Sequence, residues 1–325
     1  MDIGSTGHKI QRAINGGKRF LLVVHRQPDA DALGSLAAVG EWLERLGKSY
    51  VAFCREVRPG SANPSFLIDR NDLLTDASAL QREVFDAVIV LDSGDLGHAG
   101  LDDLVPRFVS QPVIINIDHH ATNQGFGSLN LVDPAAASTT EILYRLFDGL
   151  EVPLSPTIAT ALLAGIIFDT TSFTNPNTTK AALEIAAQLL LAGARLPSIN
   201  ELLLRNKTVD TLRLWGTALA RLQPHPAWGI TTTVITAADV AGLKDPGEAT
   251  SGIANFLNNL EGATVVLVLQ QEAGGKIKGS LRTNSHLIDL AKLATMLGGG
   301  GHKNAAGFTI EGTLIQTTEG QWQVT

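Results

Sequence analysis

Phe20-Leu-Leu-Val-Val24 runs directly into His25-Arg-Gln-Pro-Asp29-Ala-Asp31-Ala-Leu-Gly34-Ser35. Five consecutive apolar residues, two of them β-branched, predict a strand buried on both faces, as in a parallel sheet. Over 32–46, Leu33, Leu36, Ala37, Trp42, Leu43 and Leu46 recur at helical spacing, and Gly47 supplies a stop. An imidazole and two carboxylates therefore sit in the turn between a strand and a helix. This rhythm repeats along the chain and decides the fold class.

Further short strands are expected over 50–53, 87–91 and 113–117. Beyond Pro134 the pattern turns helical, over 139–147, 156–168 and 178–191. The stretch 198–222 reads as one long helix, ended by Pro224 and Pro226. After Trp228 come strand 230–235, helix 249–260, strands 264–269 and 276–281, helix 288–297, a glycine cluster and a last strand near 308–310. The expected architecture is α/β. A parallel-sheet domain spans 1–195, a helical connector 196–226 and a smaller α/β domain 227–325, with a substrate cleft between the two domains. A length of 325 residues suits two domains.

Hydrophobic residues make up 44% of the chain and charged residues 18%, which excludes disorder as the main state. The net charge of −7 argues against a broad basic surface for long duplex nucleic acid or for an anionic membrane. No apolar run approaches a membrane span, and the start lacks the basic-then-apolar pattern of a signal peptide. A single cysteine, Cys54, excludes an intrachain disulfide and a thiolate metal cage. The expected location is the cytoplasm.

The placement of acids and imidazoles carries the chemistry. Val23-Val24 leads to His25, Asp29 and Asp31; the run 88–91 leads to Asp92; the run 114–117 leads to Asp118-His119-His120; and the helical segment 161–168 leads to Asp169. In an open parallel sheet all strand carboxyl ends share one edge, and ligands bind there. Any one of these aspartates alone could be a turn former or helix cap. Together they crowd carboxylates that repel unless cations lie between them. Imidazole and carboxylate without thiolate suit Mn²⁺, Mg²⁺, Zn²⁺ or Fe²⁺. Six donors suit two such ions, and a two-ion centre suits phosphoester hydrolysis by an activated water.

Gly298-Gly-Gly-Gly301-His302-Lys303-Asn304-Ala-Ala-Gly307 adds a glycine loop that could approach an anion closely, or form a turn between helix and strand. It is no Walker loop, lacking Lys-Ser/Thr at the required spacing. Nearby, Lys276, Lys278, Ser280 and Arg282 share one strand face, and Arg282 beside Asn284 is the better candidate for a phosphate contact.

With these residues in order, the chain resembles the DHH phosphoesterase family. The matching motifs are His25-x-x-Pro-Asp29-x-Asp31-x-x-Gly34-Ser35, Asp92, Asp118-His119-His120 and Asp169-Thr-Thr-Ser-Phe173. Gly299-Gly-Gly-His302-x-x-Ala305-Ala-Gly307 is similar to the C-terminal domain associated with that family. The resemblance is to its NrnA-type branch of nanoRNases and pAp phosphatases. It implies one metal ion on His25, Asp29 and Asp92, and a second on Asp31, Asp92, His119 and Asp169, with Asp92 shared. It implies His120 as an electrophile or proton donor at the scissile phosphate and Asp118 behind it, orienting a ligand histidine. Arg282, Gly299, Gly300, Gly301 and His302 would bind substrate, with Arg282 assisting catalysis. Mn²⁺ is the implied ion, a homodimer the implied assembly.

The implied substrates are short RNA oligonucleotides, cleaved to mononucleotides, and pAp, cleaved to AMP and phosphate. Cyclic or linear dinucleotides are the alternative. RecJ-like exonucleases and manganese pyrophosphatases are more distant readings: the first need an additional domain, the second lack the glycine-histidine loop. A nucleotide-binding sensor without turnover is the non-enzymatic reading, against which a complete ligand set argues. Among the other residues, His98 reads as a solvated loop histidine and His286 as a residue decorating a helix start. Asn123 reads as either a turn former or a residue behind the ligands. Cys54 and Trp215 read as packed, while Trp228 could stack a base.

Overall fold

A computed structural model of the chain describes residues 3–57, 67–68, 72–80, 82–204, 207–285, 287–318 and 320–325; His286 lies outside the described residues. The chain divides into two compact units, one ending at Asn206 and the other beginning at Lys207.

The first unit runs α1 (Ile3–Gly16), β1 (Arg19–Val24), α2 (Ala30–Arg45), β2 (Ser49–Phe53), β3 (Leu73–Leu74), α3 (Ala77–Leu80), β4 (Ala87–Leu91), β5 (Val113–Asp118) and β6 (Leu129–Val132). Then follow α4 (Thr139–Gly149), α5 (Pro156–Asp169), α6 (Lys180–Leu191) and α7 (Leu196–Leu204). Its six strands pair in the order β3-β2-β1-β4-β5-β6, every pair parallel. The continuous apolar run of β1 is explained by burial on both sides. Phe20, Leu22 and Val24 join one core with Ala87, Ile89 and Leu91, while Leu21 and Val23 join the opposite one with Val88 and Val90.

From β1 the chain builds β2 and β3 to one side, then returns to place β4 on the other. The strand order therefore reverses between β1 and β4, which opens a crevice at their carboxyl ends. Register aligns those ends: Val24 pairs with Leu91, and Leu91 with Ile117. The residues that follow, His25, Asp92 and Asp118, are thus brought side by side by backbone pairing alone. Helix α5 is buried on every side from Ile158 to Ile167, as a sequence apolar but for Thr160 requires. It packs tightly on α2 because Gly34 leaves room for a carbonyl: a Cβ there would lie 2.4 Å from the Ala161 oxygen.

The second unit runs α8 (Val209–Ala220), β7 (Gln223–His225), β8 (Ile230–Ile235), α9 (Ala237–Val240), α10 (Pro246–Thr250), α11 (Ile253–Leu257), β9 (Val265–Glu272) and β10 (Lys276–Arg282). After these come α12 (Leu290–Met296), β11 (Gly300–His302), β12 (Ala305–Glu311), β13 (Leu314–Gln316) and β14 (Trp322–Val324). The main sheet has the order β11-β12-β10-β9-β8-β7, with β8 and β9 parallel and its other pairs antiparallel.

Two helices expected from the sequence are each broken in two. The long helix over 198–222, central to the connector at 196–226, is α7 and α8. Thr208 begins α8 afresh, its hydroxyl accepting the Thr211 N–H at 3.1 Å. The helix over 249–260 is divided at Gly252, whose φ of +87° no helix interior accommodates. Helix α1 and the short strands β3, β6, β7, β11, β13 and β14 were not anticipated. Among the described residues no helix is long and apolar enough to cross a membrane.

Candidate metal centre

His25 follows β1 and is buried. Its Nδ1 lies 2.8 Å from the Arg26 carbonyl, which can only accept, so Nδ1 carries a proton and Nε2 is the nitrogen available to a metal. Nε2 faces Asp92 Oδ2 at 3.6 Å. A ligand histidine oriented by a backbone carbonyl through its other nitrogen is a common arrangement at metal sites.

Asp29 caps α2: Oδ1 accepts the N–H groups of Asp31 and Ala32 at 2.9 and 3.1 Å. The cap reading and the ligand reading are compatible, because the cap uses Oδ1 alone. Asp31, on α2, is fully buried against the start of α4, where its Oδ2 accepts the Thr139 N–H at 2.7 Å. Its Oδ1 accepts the Thr140 N–H and hydroxyl at 3.0 and 2.6 Å. A helix N-terminus thus supports this carboxylate's charge. Asp169 is the last residue of α5, and its Oδ2 lies 3.2 Å from His119 Nε2.

Asp92 stands in the middle. It has a left-handed backbone, φ +57°, directly after β4. While Oδ2 faces His25, Oδ1 accepts the Thr139 hydroxyl at 2.9 Å and lies 3.7 Å from both His119 Nε2 and His120 Nδ1. One carboxylate therefore presents its two oxygens to two groups of donors. Three sets of ligand atoms each fall within 4.8 Å of one another: His25, Asp29 and Asp92; Asp31, His119 and Asp169; and Asp92, His119 and His120.

The donors fit divalent ions electrostatically as well as chemically. Burial, then the neighbouring carboxylates, hold Asp31 and Asp169 well above the ordinary carboxylate range and raise Asp29. Burial opposes ionisation of Asp92 too, but the His25 hydrogen bond and the charges of His25, His119 and His120 outweigh it and lower Asp92. Burial disfavours charge on His25, yet Asp92 and Asp29 raise it to about 9. So much mutually repelling negative charge, with oxygen and nitrogen donors only, is the environment of a divalent cation.

Asp118 is fully buried and bonds His120 rather than His119: Oδ1 lies 2.6 Å from His120 Nδ1. Burial works against charge on His120, but the Asp118 hydrogen bond and the Asp92 and Asp118 charges bring it to about 9. Asn123 donates to Asp118 Oδ2 at 2.7 Å and accepts the Gly125 N–H at 2.8 Å, so it braces the carboxylate and makes the turn together.

Two groups of residues were missed in the sequence. Thr139 and Thr140 hold Asp31 and Asp92; the signal was Ser138-Thr-Thr-Glu141 opening a helix, where Ser138 accepts the Glu141 N–H. His98 is exposed, as expected, but its ring stacks on His25 with centroids 4.9 Å apart. Cys54 is buried, its thiol 3.3 Å from the His25 carbonyl. Trp215 packs by donating to the Ala249 carbonyl at 2.9 Å, whereas Trp228 is 75% exposed.

In the second unit, Arg282 ends β10. Its Nε donates to Asn255 Oδ1 at 2.5 Å, and the adjacent Thr283 N–H donates to the Asn304 carbonyl at 3.0 Å. Arg282 pairs with Ala305 in the sheet, and Gly300, Gly301 and His302 form β11 beside it. The close approach allowed by two of the glycines is to the chain itself. A Cβ at Gly299 would lie 2.1 Å from the Gly307 oxygen, and one at Gly301 2.6 Å from the Ala305 oxygen. Gly300 borders open space.

The family model for the DHH family N-terminal domain matches residues 19–166, and that for the DHHA1 domain matches 233–319. A bifunctional oligoribonuclease and PAP phosphatase NrnA from Thermus thermophilus is 33% identical over 308 residues, covering 94% of this chain and 87% of that protein. The cyclic-di-AMP phosphodiesterase PdeA of Listeria monocytogenes is 25% identical over 337 residues, which span 96% of this chain but 48% of that protein. Among solved structures, an exopolyphosphatase-related protein from Bacteroides fragilis superposes with a TM-score of 0.85 at 22% identity, covering 95% of this chain and 92% of that one. With its DHH and DHHA1 domains in sequence and a relative of this identity along nearly its whole length, the chain belongs to the DHH family.

Proposed function

We propose that the protein is a two-metal phosphoesterase that hydrolyses short RNA oligonucleotides to mononucleotides and pAp to AMP and phosphate, with Mn²⁺ as its working ion. The observation that carries this reading is the Asp92 carboxylate, whose two oxygens face His25 on one side and His119 and His120 on the other. The name of the Thermus thermophilus relative supports the substrate class. His25, Asp29 and Asp92 would hold one ion; Asp31, Asp92, His119 and Asp169 would hold the other. When bound, two such ions supply Lewis acidity toward phosphoryl oxygens and make water acidic near neutral pH.

The chain's own residues do the rest. The Arg26 carbonyl keeps the His25 lone pair directed at the centre, and Thr139 and Thr140 keep Asp31 from turning away. Asp118 binds the Nδ1 proton of His120, so the proton His120 can give to a leaving oxygen is the one on Nε2. Arg282 and the backbone at Gly300 are assigned to substrate phosphate or base. We also assign the protein to the cytoplasm, where the Cys54 thiol stays reduced, and to a homodimer. The experiment is incubation of purified protein with Mn²⁺ and either a 5′-labelled RNA dinucleotide or pAp. Release of mononucleotide and of phosphate is expected; nucleotide binding without either product would favour a sensor. Likeness to PdeA favours a second reading, a dinucleotide phosphodiesterase, which the same assay tests with cyclic and linear dinucleotides.

A further inference from the structure

The phosphoesterase reading leaves one residue beside the centre without a task. His98 lies flat on His25, the ring planes 4° apart. Its main chain holds that position from both ends: its N–H donates to Asp95 Oδ1 at 2.7 Å, and its carbonyl accepts the Arg26 N–H at 3.2 Å. The turn itself is tied by the Ser93 hydroxyl and the Ala99 N–H, both donating to the Asp95 carbonyl at 3.1 Å. It borders the other side of the centre as well, since a Cβ at Gly94 would lie 3.9 Å from the His120 Cβ.

Packing accounts for a ring at position 98 but not for an imidazole. A phenyl group would cover His25 as well at lower desolvation cost. Yet His98 is exposed, and its ring nitrogens have no hydrogen-bond partner among the described residues. A polar ring built onto a candidate ligand, with its polar edge unused, is a group waiting for something polar. At a centre of this chemistry that something is phosphate. The 4.9 Å between ring centroids keeps a His98 N–H within reach of an oxygen on a phosphate brought to the His25, Asp29 and Asp92 set.

We propose that His98 is a substrate-binding residue: one face steadies His25, and a ring N–H donates to a non-bridging oxygen of the substrate phosphate. This rests on the phosphoesterase reading of the centre. The neutral imidazole suffices, because it always carries one N–H.

The test separates the face from the edge. His98→Phe keeps the stack and removes the donor, His98→Gln supplies a donor without the ring, and His98→Ala removes both. Calorimetry on Mn²⁺ alone, and on inorganic phosphate with the Mn²⁺-loaded protein, needs no turnover. For His98→Phe, Mn²⁺ affinity is expected within about twofold of wild type while phosphate binding weakens by about fivefold or more, the size of one lost hydrogen bond. His98→Gln recovers part of the phosphate affinity, and His98→Ala weakens both ligands. In kinetics with pAp, His98→Phe raises KM more than it lowers kcat. Phosphate affinity in His98→Phe within about twofold of wild type overturns the assignment and leaves a packing role. Wild-type protein that binds no phosphate in Mn²⁺ overturns it as well. Wild-type protein that binds phosphate but hydrolyses neither pAp nor dinucleotides instead sinks the phosphoesterase reading, and the comparison of variants still decides His98.

Discussion

Gly165 on α5 lies directly beneath the carboxylate of Asp31: a Cβ at position 165 would sit 2.4 Å from Asp31 Oδ1 and 2.3 Å from Thr140 Oγ1. Neither neighbour can move freely, since Oδ1 already accepts two hydrogen bonds from Thr140. Gly165→Ala is expected to cost about 1–3 kcal/mol of stability as an overpacking change. It should also weaken divalent-ion binding by displacing Asp31. Denaturant unfolding read beside Mn²⁺ calorimetry checks both, and an unaltered affinity would show that Asp31 is not held for a metal.

Asp92→Asn keeps the size of the side chain and removes its charge. Because one carboxylate serves both donor sets, metal content measured by elemental analysis should fall for both ions together, and turnover should become undetectable. Loss of one ion only would mean that Asp92 is not shared.

Metal-free protein should lose stability as pH rises through the neutral range. His25 and His120 are brought to about 9, against 6.5 for unperturbed histidine. Their contribution is complete below about pH 6.5 and is lost as pH rises toward 9, since the folded state there binds more protons than the unfolded one. The raised carboxylates Asp29, Asp31 and Asp169 act with the same sign from the ordinary carboxylate range upward. Thermal melts in a chelator between pH 6 and 9 should therefore fall. Melts in saturating Mn²⁺ should fall less, because the ligand His25 must give up the proton that metal-free folding retains, whereas His120 keeps its own. A metal at about a hundred times its Kd adds about 2.7 kcal/mol.

Asn123→Ala removes the donor that fixes Asp118 Oδ2, and with it the aim of His120. Turnover should drop about 10–100-fold with metal content unchanged, as for other residues that act through a ligand's neighbour. An altered pH profile of kcat would separate this from a loss of fold.

The glycine loop should divide its labour. Gly299→Ala is expected to disrupt the pairing of β11 with β12, because the Gly307 oxygen occupies the space a methyl group needs. Gly300→Ala should fold normally and be read out only in substrate KM. Equal thermal stability of the two variants would contradict the crowding seen at Gly299.

Much of unit one was legible because a parallel sheet writes its strands as unbroken apolar runs and places polar residues at their carboxyl ends. His25, Asp92 and the pair His119-His120 stand out by this rule in the sequence alone. Thr139 and Thr140 do not, because a threonine at a helix start reads as a cap and its reach across to Asp31 is a long-range contact. The stack of His98 on His25 is not legible for the same reason: a polar turn gives no hint of the ring it will lie upon. The broken helix at Gly252 shows the converse limit, since apolar periodicity continues past a residue whose backbone does not.

The reversal of strand order between β1 and β4 has a consequence for how the protein is made. Parallel neighbours cannot zip from a tight turn; β1 waits for β4, and the last donor, Asp169, arrives with α5, long after His25 has been synthesised. The donor set is therefore complete only once α5 has packed on α2, after all six strands have been made. Until then the carboxylates are spread along an open chain, where water rather than a metal ion separates their charges.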